Sequence, residues 1–271
     1  MKKIAVIGTG LSALSLAHHL PSLDITFFEK SWRPGGRIST RRHQDYIFDH
    51  GAHYLKEDHG VIGFNEYLEK IGATKVLNGT FCSNIQNDSP IEEKRVIVGR
   101  QGIESIPIEF HKKLRYPTEY STQIKKIESR NQEYFISTDE KEFGPFDFIF
   151  SCIPFEQSKT LLEDFIDYKN IPIPNFDSIW TIMLAFDKRL GSPFQFGYHL
   201  NKEISFLMNQ NFKNEFFSEE CWVVNMRAEW TKEYYNIENY VLEDYVINSI
   251  KKFFQSSAKV VFKKSHRWRY A

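Results

Sequence analysis

The chain has 271 residues and carries 35 Lys+Arg against 35 Asp+Glu. That balance points to no nucleic-acid or membrane-surface partner, and no apolar run is long enough to span a bilayer. The length suits one large domain or two interlocked ones around a sizeable core.

Taken from the start, Lys2 to Ile7 is a continuous apolar run, which predicts a strand buried on both faces. It runs into Gly8-Thr9-Gly10-Leu11-Ser12-Ala13. A helical stretch, Leu14 to Leu20, is stopped by Pro21. A second apolar run, Asp24 to Phe28, ends in Glu29, 21 residues after Gly8. Strand, glycine turn, helix, strand and acid together predict a dinucleotide-binding βαβ unit. Gly8 permits the tight turn, Gly10 lets the backbone approach a pyrophosphate, and Ala13 is small enough for close helix–strand packing. Ser12 suits a phosphate hydrogen bond, since no G-x-S-x-G elbow makes it a nucleophile. The helix N-terminus adds free N–H groups and the positive dipole end. Glu29 is placed to accept hydrogen bonds from both ribose hydroxyls and disfavours a 2′-phosphate.

The following stretch is not another crossover helix. Lys30-Ser31-Trp32-Arg33-Pro34 leads into Gly35-Gly36-Arg37, then Thr40-Arg41-Arg42 and Phe48-Asp49-His50-Gly51-Ala52-His53-Tyr54. Paired glycines let the backbone wrap a phosphate, and Arg37 can hold it by bidentate hydrogen bonds. His50 and His53 have the spacing of a metal pair without a third ligand or carboxylate cluster, so no metal is expected.

Farther along, Val61 to Ile71 reads as a helix ended by Gly72, with Ile62, Tyr67, Leu68 and Ile71 apolar. Residues 74–98 read as two strands joined by a polar loop around Asn84 to Pro90. Gln101 opens a helix to about Leu114. Residues 120–128 and 132–138 alternate as strands, and Phe146 to Ile153 reads as a buried strand followed by a helix to about Phe165. The proline-rich segment from Asn170 marks a crossing into a second region. There Ser178–Phe186, Ile204–Asn209 and Cys221–Ala228 predict a mostly antiparallel sheet, and Glu238–Phe254 a helix with Val241, Leu242, Tyr245, Val246, Ile250 and Phe253 on its apolar face. Cys82, Cys152 and Cys221 form no CxxC pair and no disulfide framework. With a core strand rather than a signal peptide at the N-terminus, this predicts a cytoplasmic protein with buried thiols.

In combination, the Gly8–Ala13 turn, Glu29, the Gly35-Gly36-Arg37 loop and the Asp49–Tyr54 stretch resemble the flavin amine oxidase superfamily. Within it the phrase EKSWRPGGRISTRR…FDHGAHYL is similar to the renalase-like FAD-dependent oxidoreductases of bacteria. Gly144-Pro145-Phe146-Asp147 to Pro154 and the tract His266-Arg267-Trp268-Arg269-Tyr270-Ala271 extend the likeness to both halves.

The resemblance implies an α/β chain with a Rossmann-like FAD-binding domain (1–60 and 99–165) interleaved with a mostly antiparallel-sheet substrate domain (61–98 and 166–271). It implies FAD held by Gly8, Gly10, Ser12, Ala13, Glu29, Lys30, Gly35, Gly36, Arg37, Gly51, Ala52, His53, Tyr54 and Ile124, whose backbone would meet the adenine. His53 would be a hydrogen-bonding wall residue, and Trp230 and Trp268 line the substrate cavity or fill the domain interface. The implied donor is a 2- or 6-dihydro isomer of NAD(P), with O2 as acceptor and H2O2 as product, a reaction that needs no obligatory general base. A small amine is the alternative donor, and a truncated, non-catalytic nucleotide-binding protein is the other alternative. Relatives continue past the HRW-x-YA tract into a strand and a helix aimed at the flavin. Ending at Ala271, the chain is expected to hold FAD weakly and to be marginally stable or self-associating.

Overall fold

The computed structural model describes residues 1–57, 63–213 and 218–271. In chain order the elements are β1 (Lys3–Ile7), α1 (Leu11–His18), β2 (Asp24–Phe28), β3 (Thr40–His43), β4 (Tyr46–Asp49), α2 (Phe64–Lys70), β5 (Thr74–Cys82), β6 (Ile91–Gly99) and α3 (Ser105–Leu114). Then come β7 (Thr118–Glu119), β8 (Lys126–Arg130), β9 (Glu133–Ser137), β10 (Glu142–Phe146), β11 (Phe148–Ser151), α4 (Phe155–Leu162), β12 (Ile179–Phe186) and β13 (Phe196–Tyr198). The chain finishes with β14 (Ile204–Asn209), β15 (Glu220–Met226), α5 (Ala228–Glu233), α6 (Asn239–Phe253) and β16 (Val260–Trp268). No described helix is long and apolar enough to cross a membrane.

The chain divides into two units. The first comprises residues 1–38, 70–73 and 105–175. Its parallel sheet has the order β11-β1-β2-β7. In β1, Ile4, Ala5, Val6 and Ile7 are all buried, because a parallel strand in a βαβ unit is covered on both faces. A second, antiparallel sheet, β10-β9-β8, adds Ile127, Ile136 and Phe146 to a core shared with Ala5, Ile7, Phe28 and Ile124. The expected strand over Phe146–Ile153 is shorter, and it is not buried: β11 lies at the sheet edge, and Phe148 is 50% exposed. Edge position leaves one side of its backbone and its alternate side chains open, which an apolar run alone cannot reveal. Helix α1 starts three residues earlier than expected, directly after Gly10, and the strand over 120–128 starts late, so that Ile124 lies in the loop before β8.

The second unit comprises residues 39–69, 74–104 and 176–271. Residues 39–60 and 99–104, expected in the FAD-binding domain, fall here, whereas 70–73 and 166–175, expected in the substrate domain, fall in the first unit. Its seven-stranded sheet has the order β16-β12-β15-β14-β13-β5-β6. All the pairs are antiparallel except β13 with β5. From Trp180 onward, β12 is buried throughout, and its alternation assigns the two faces. Ile182, Leu184 and Phe186 join Leu242, Val246 and Ile250 of α6. Met183 and Ala185 meet Phe48 of the β3–β4 hairpin, where Phe262 stacks on Phe48 at 5.3 Å between ring centres.

The apolar face expected for α6 is therefore shifted. Leu242, Val246 and Ile250 are buried, whereas Val241 and Phe253 are exposed. The hairpin β3–β4 and the nine-residue β16 were not predicted. Their Arg, His and Lys content hides the strand pattern, since these side chains lie along exposed or half-covered sheet faces. Val61 and Ile62 of the expected helix lie outside the described residues; α2 covers Phe64–Lys70, with Leu68 fully buried, and Ile71 falls in the turn after it.

Candidate functional site

Two clusters hold most of the predicted site residues. In the first unit, Gly8 has φ +98° and its N–H donates to Phe28 O at 2.8 Å. A Cβ at Gly8 would lie 3.0 Å from Ile153 Cγ2 and 3.1 Å from Cys152 O, so only glycine fits where the turn presses on the strand end. At Gly10 the reverse holds: a Cβ would meet nothing within 4 Å, which leaves clear space at the start of α1, where no side chain caps the helix. The Gly35-Gly36 loop lies beside this turn. Gly35 N donates to Thr9 O at 3.2 Å, and a Cβ on Gly36 would come 3.8 Å from Gly10 Cα. Two glycine-rich segments thus lie side by side at a helix N-terminus, the arrangement that receives phosphate oxygens.

Glu29 is buried at the end of β2. Its Oε2 accepts from Thr9 N at 3.0 Å and from Thr9 Oγ1 at 2.6 Å, and its Oε1 accepts from Ser31 N at 2.8 Å. A carboxylate has about four acceptor positions, so the three bonds correct the expectation of a carboxylate open to both ribose hydroxyls. Glu29 first ties the glycine turn to β2, with one lone-pair direction left for a ligand. The segment bearing Ile124 runs alongside, through Thr122 N to Glu29 O at 2.9 Å and Ser121 N to Ser31 O at 2.9 Å. Ala13 is fully buried, whereas Ser12, Lys30 and Arg37 are exposed.

In the second unit the end of β4 and the turn after it carry Asp49 to Tyr54. Asp49 is buried. Its Oδ1 accepts from Thr40 Oγ1 at 2.6 Å and from Ile103 N at 2.8 Å, and its Oδ2 accepts from Lys213 Nζ at 2.5 Å. Lys213 also donates to the His53 carbonyl. Gly102, at φ +109°, admits this closeness, since a Cβ there would be 2.8 Å from Thr40 Oγ1.

His53 Nδ1 lies 2.8 Å from Asp49 O. A carbonyl only accepts, so Nδ1 carries the proton. Nε2 then accepts from Asn225 Nδ2 at 3.0 Å, and Asn225 is oriented by Thr181 Oγ1, which donates to its Oδ1 at 3.0 Å. Both ring nitrogens are engaged and the ring stacks on Phe206. Burial, reinforced by the Lys213 charge, pushes His53 down to about 4. Next to it, the Tyr54 and Tyr198 hydroxyls are 2.6 Å apart, and burial with this neighbour pushes Tyr198 up.

His50 faces His266 and Trp268 at ring distances of 5.1 and 5.3 Å, and Trp268 Nε1 donates to His50 O at 2.8 Å. Burial pushes His50 down to about 3 and His266 down to about 4, with Arg41 adding to both. Trp230 has other neighbours. It stacks on Tyr234 and Tyr245 and packs against the α6 core. Asp49, Lys213 and Asn225 were missed as site residues. Asp49 lay inside the recognised stretch, but Lys213 and Asn225 sit in polar or strand contexts with no spacing signal.

Comparison with known proteins agrees with this geometry. Residues 6–66 match the model of an NAD(P)-binding Rossmann-like domain. The fold is shared with solved oxidoreductases. A protein of Exiguobacterium sp. 255-15, provisionally named a protoporphyrinogen oxidase, superposes with a TM-score of 0.77 at 13% identity over 98% of this chain and 86% of its own. Cyclohexylamine oxidase from Brevibacterium oxydans IH-35A gives 0.68 at 8% identity over 98% and 84%.

Among curated proteins, a coproporphyrinogen III oxidase of Staphylococcus aureus is 43% identical over 54 residues, 18% of this chain and 12% of its own. Protoporphyrinogen oxidase 2 of Arabidopsis thaliana is 29% identical over 104 residues, 38% of this chain and 18% of its own. The L-amino-acid oxidase of Sistrurus catenatus edwardsii is 34% identical over 85 residues, 31% and 16%. The matched stretches span less than a fifth of these relatives' lengths.

Proposed function

We propose that the protein is an FAD-dependent oxidoreductase. The observation that carries this reading is the pair of glycine segments, Gly8–Gly10 and Gly35–Gly36, set beside the open start of α1 and tied to Glu29. The cradle fits a pyrophosphate. A side chain at Gly10 would occupy the space the ligand needs, and no protein side chain caps the helix there. Gly8, Gly10, Ser12, Gly35, Gly36 and Arg37 are assigned to the phosphates, Ala13 to the close packing of α1 on the strand, Glu29 with the neighbouring Lys30 to the ribose side, and the backbone at Ile124 to the adenine. Gly51, Ala52, His53 and Tyr54 are assigned to the ring. When bound, the flavin supplies hydride acceptance from an organic donor and reoxidation by O2. Names of relatives support the class, because they are oxidases of porphyrinogens, amino acids and amines.

For the donor we propose a dihydronicotinamide dinucleotide isomer, in the manner of the renalase-like proteins. The support is chemical. His53 is held neutral with both nitrogens occupied, so it offers no free base, and an activated dihydropyridine requires none. The amine reading keeps one observation in its favour, the aromatic group of Tyr54, Tyr198 and Phe206. A cytoplasmic setting is supported by three cysteines without a disulfide.

The purified protein should be yellow and release FAD on denaturation. Under anaerobic conditions 2- and 6-dihydro-NAD(P) should bleach it far faster than NADH or a primary amine. Rapid bleaching by the amine moves the donor to that class, and a colourless protein that takes up no added FAD removes the flavin reading.

A further inference from the structure

Lys213 is an uncommon residue in its setting. It is 2% exposed, on a chain whose other lysines are mostly solvated, and it forms an ion pair with Asp49, itself 1% exposed. Buried pairs contribute little net stability, because desolvating two charges offsets most of their attraction. Such a pair therefore suggests a geometric role, and the bonds around it specify one. The ammonium bonds both ends of one short turn, the Asp49 side chain and the His53 carbonyl. Gln210, three residues before Lys213, accepts from Asp49 N at 3.0 Å. Lys75 Nζ holds the Lys213 carbonyl at 2.6 Å. Within the turn, Asp49 O receives the His53 Nδ1 proton. The segment 210–213 thus grips residues 49–53 at three points.

We propose that Lys213 is a positioning residue. Through Asp49 and the His53 carbonyl it sets the 49–54 turn and keeps the His53 ring as the Nδ1–H tautomer, its Nε2 turned to Asn225. The inference rests on the flavin reading only in assigning residues 51–54 to the ring. The grip itself is a property of the chain. Lys213 also opposes protonation of His53 by its charge. The ring is thereby a fixed acceptor rather than a proton carrier.

The test is nitrogen-15 NMR of the imidazoles in ligand-free protein, paired with the visible absorption of protein loaded with FAD. Lys213→Met alone strands a buried carboxylate, so the informative change is Asp49→Asn with Lys213→Met. The amide keeps an acceptor for Thr40 Oγ1 and Ile103 N. This double variant should lose the single-tautomer His53 signal for an averaged pair, and its bound-flavin band should shift. Lys213→Arg with Asp49 intact should keep both. Unchanged His53 signals and an unchanged flavin band in the double variant overturn the proposal. So does an Nε2–H tautomer in the unsubstituted protein, whatever the variants do. If the protein takes up no FAD, the flavin reading falls, while the His53 spectra still decide Lys213.

Discussion

At the scale of single residues, the site is held by acceptors that serve the chain before they serve a ligand. Thr9 is fully buried and gives two hydrogen bonds to Glu29. Glu29→Ala leaves those donors unpaired, and about 1–3 kcal/mol of unfolding free energy should be lost, read by urea titration of the ligand-free protein. No change would mean that water replaces the carboxylate. Arg37 is exposed at the end of the paired-glycine loop. If it contacts phosphate, Arg37→Ala weakens FAD binding by about 1.5–3 kcal/mol; equal retention removes it from the site.

Three histidines set a pH dependence. His50, His53 and His266 titrate near 3, 4 and 4 against 6.5 when unfolded. Between about pH 6.5 and 4 the unfolded chain binds protons that these sites refuse. Stability is therefore complete above pH 6.5 and falls as the pH drops, by up to about 1.4 kcal/mol per pH unit for each of the buried His50 and His53 and by less for the partly exposed His266, whose charge water screens. Urea titrations at pH 7 and 5 should show the loss, and His266→Gln should flatten it. An unaltered slope would show that His266 does not contribute.

At the scale of elements, β12 and α6 carry the second unit. Leu184 is fully buried between them, and Leu184→Ala should cost about 2–5 kcal/mol. Val241 is 44% exposed, so Val241→Ala should stay within about 0.5 kcal/mol. Equal effects would contradict the buried face described for α6. This face marks the limit of what was legible in the sequence. The 3.6-residue pattern located the helix, but with apolar residues at 241 and 242 and at 250 and 253 it did not choose between adjacent stripes. Strands rich in Val, Ile and Phe were readable: β1, β2, β5, β12 and β14. β16 was not, because Lys263, Lys264, His266 and Arg267 interrupt its alternation. The glycine turn was legible because steric demand at Gly8 leaves no other residue. Lys213 was not, because a lysine among asparagines reads as solvated and only the distant Asp49 makes its burial tolerable.

For the molecule as a whole, the chain passes between its two units five times. Neither unit is a contiguous fragment. Residues 176–271 contain β12 to β16 but neither the β5–β6 hairpin nor Phe48. Alone, that fragment should expose Met183, Ala185 and Val223 and the edge of β13, and aggregate or bind an apolar dye. A soluble monomer with cooperative unfolding would show that the strands after Asn175 form a core unaided.

The parallel join of β5 to β13 also has a consequence in time. On the ribosome the β5–β6 hairpin emerges roughly a hundred residues before Phe196, the strand residue against which Phe81 stacks. At about 5–20 residues per second, the edge of β5 waits on the order of 5–20 s for its partner. Meanwhile every strand of the first unit has left the exit tunnel before the last strands of the second are translated. During that interval the nascent chain carries a half-built seven-stranded sheet while the strands β7 to β11 of the first unit are still being added, and the half-built sheet is where a holdase would bind.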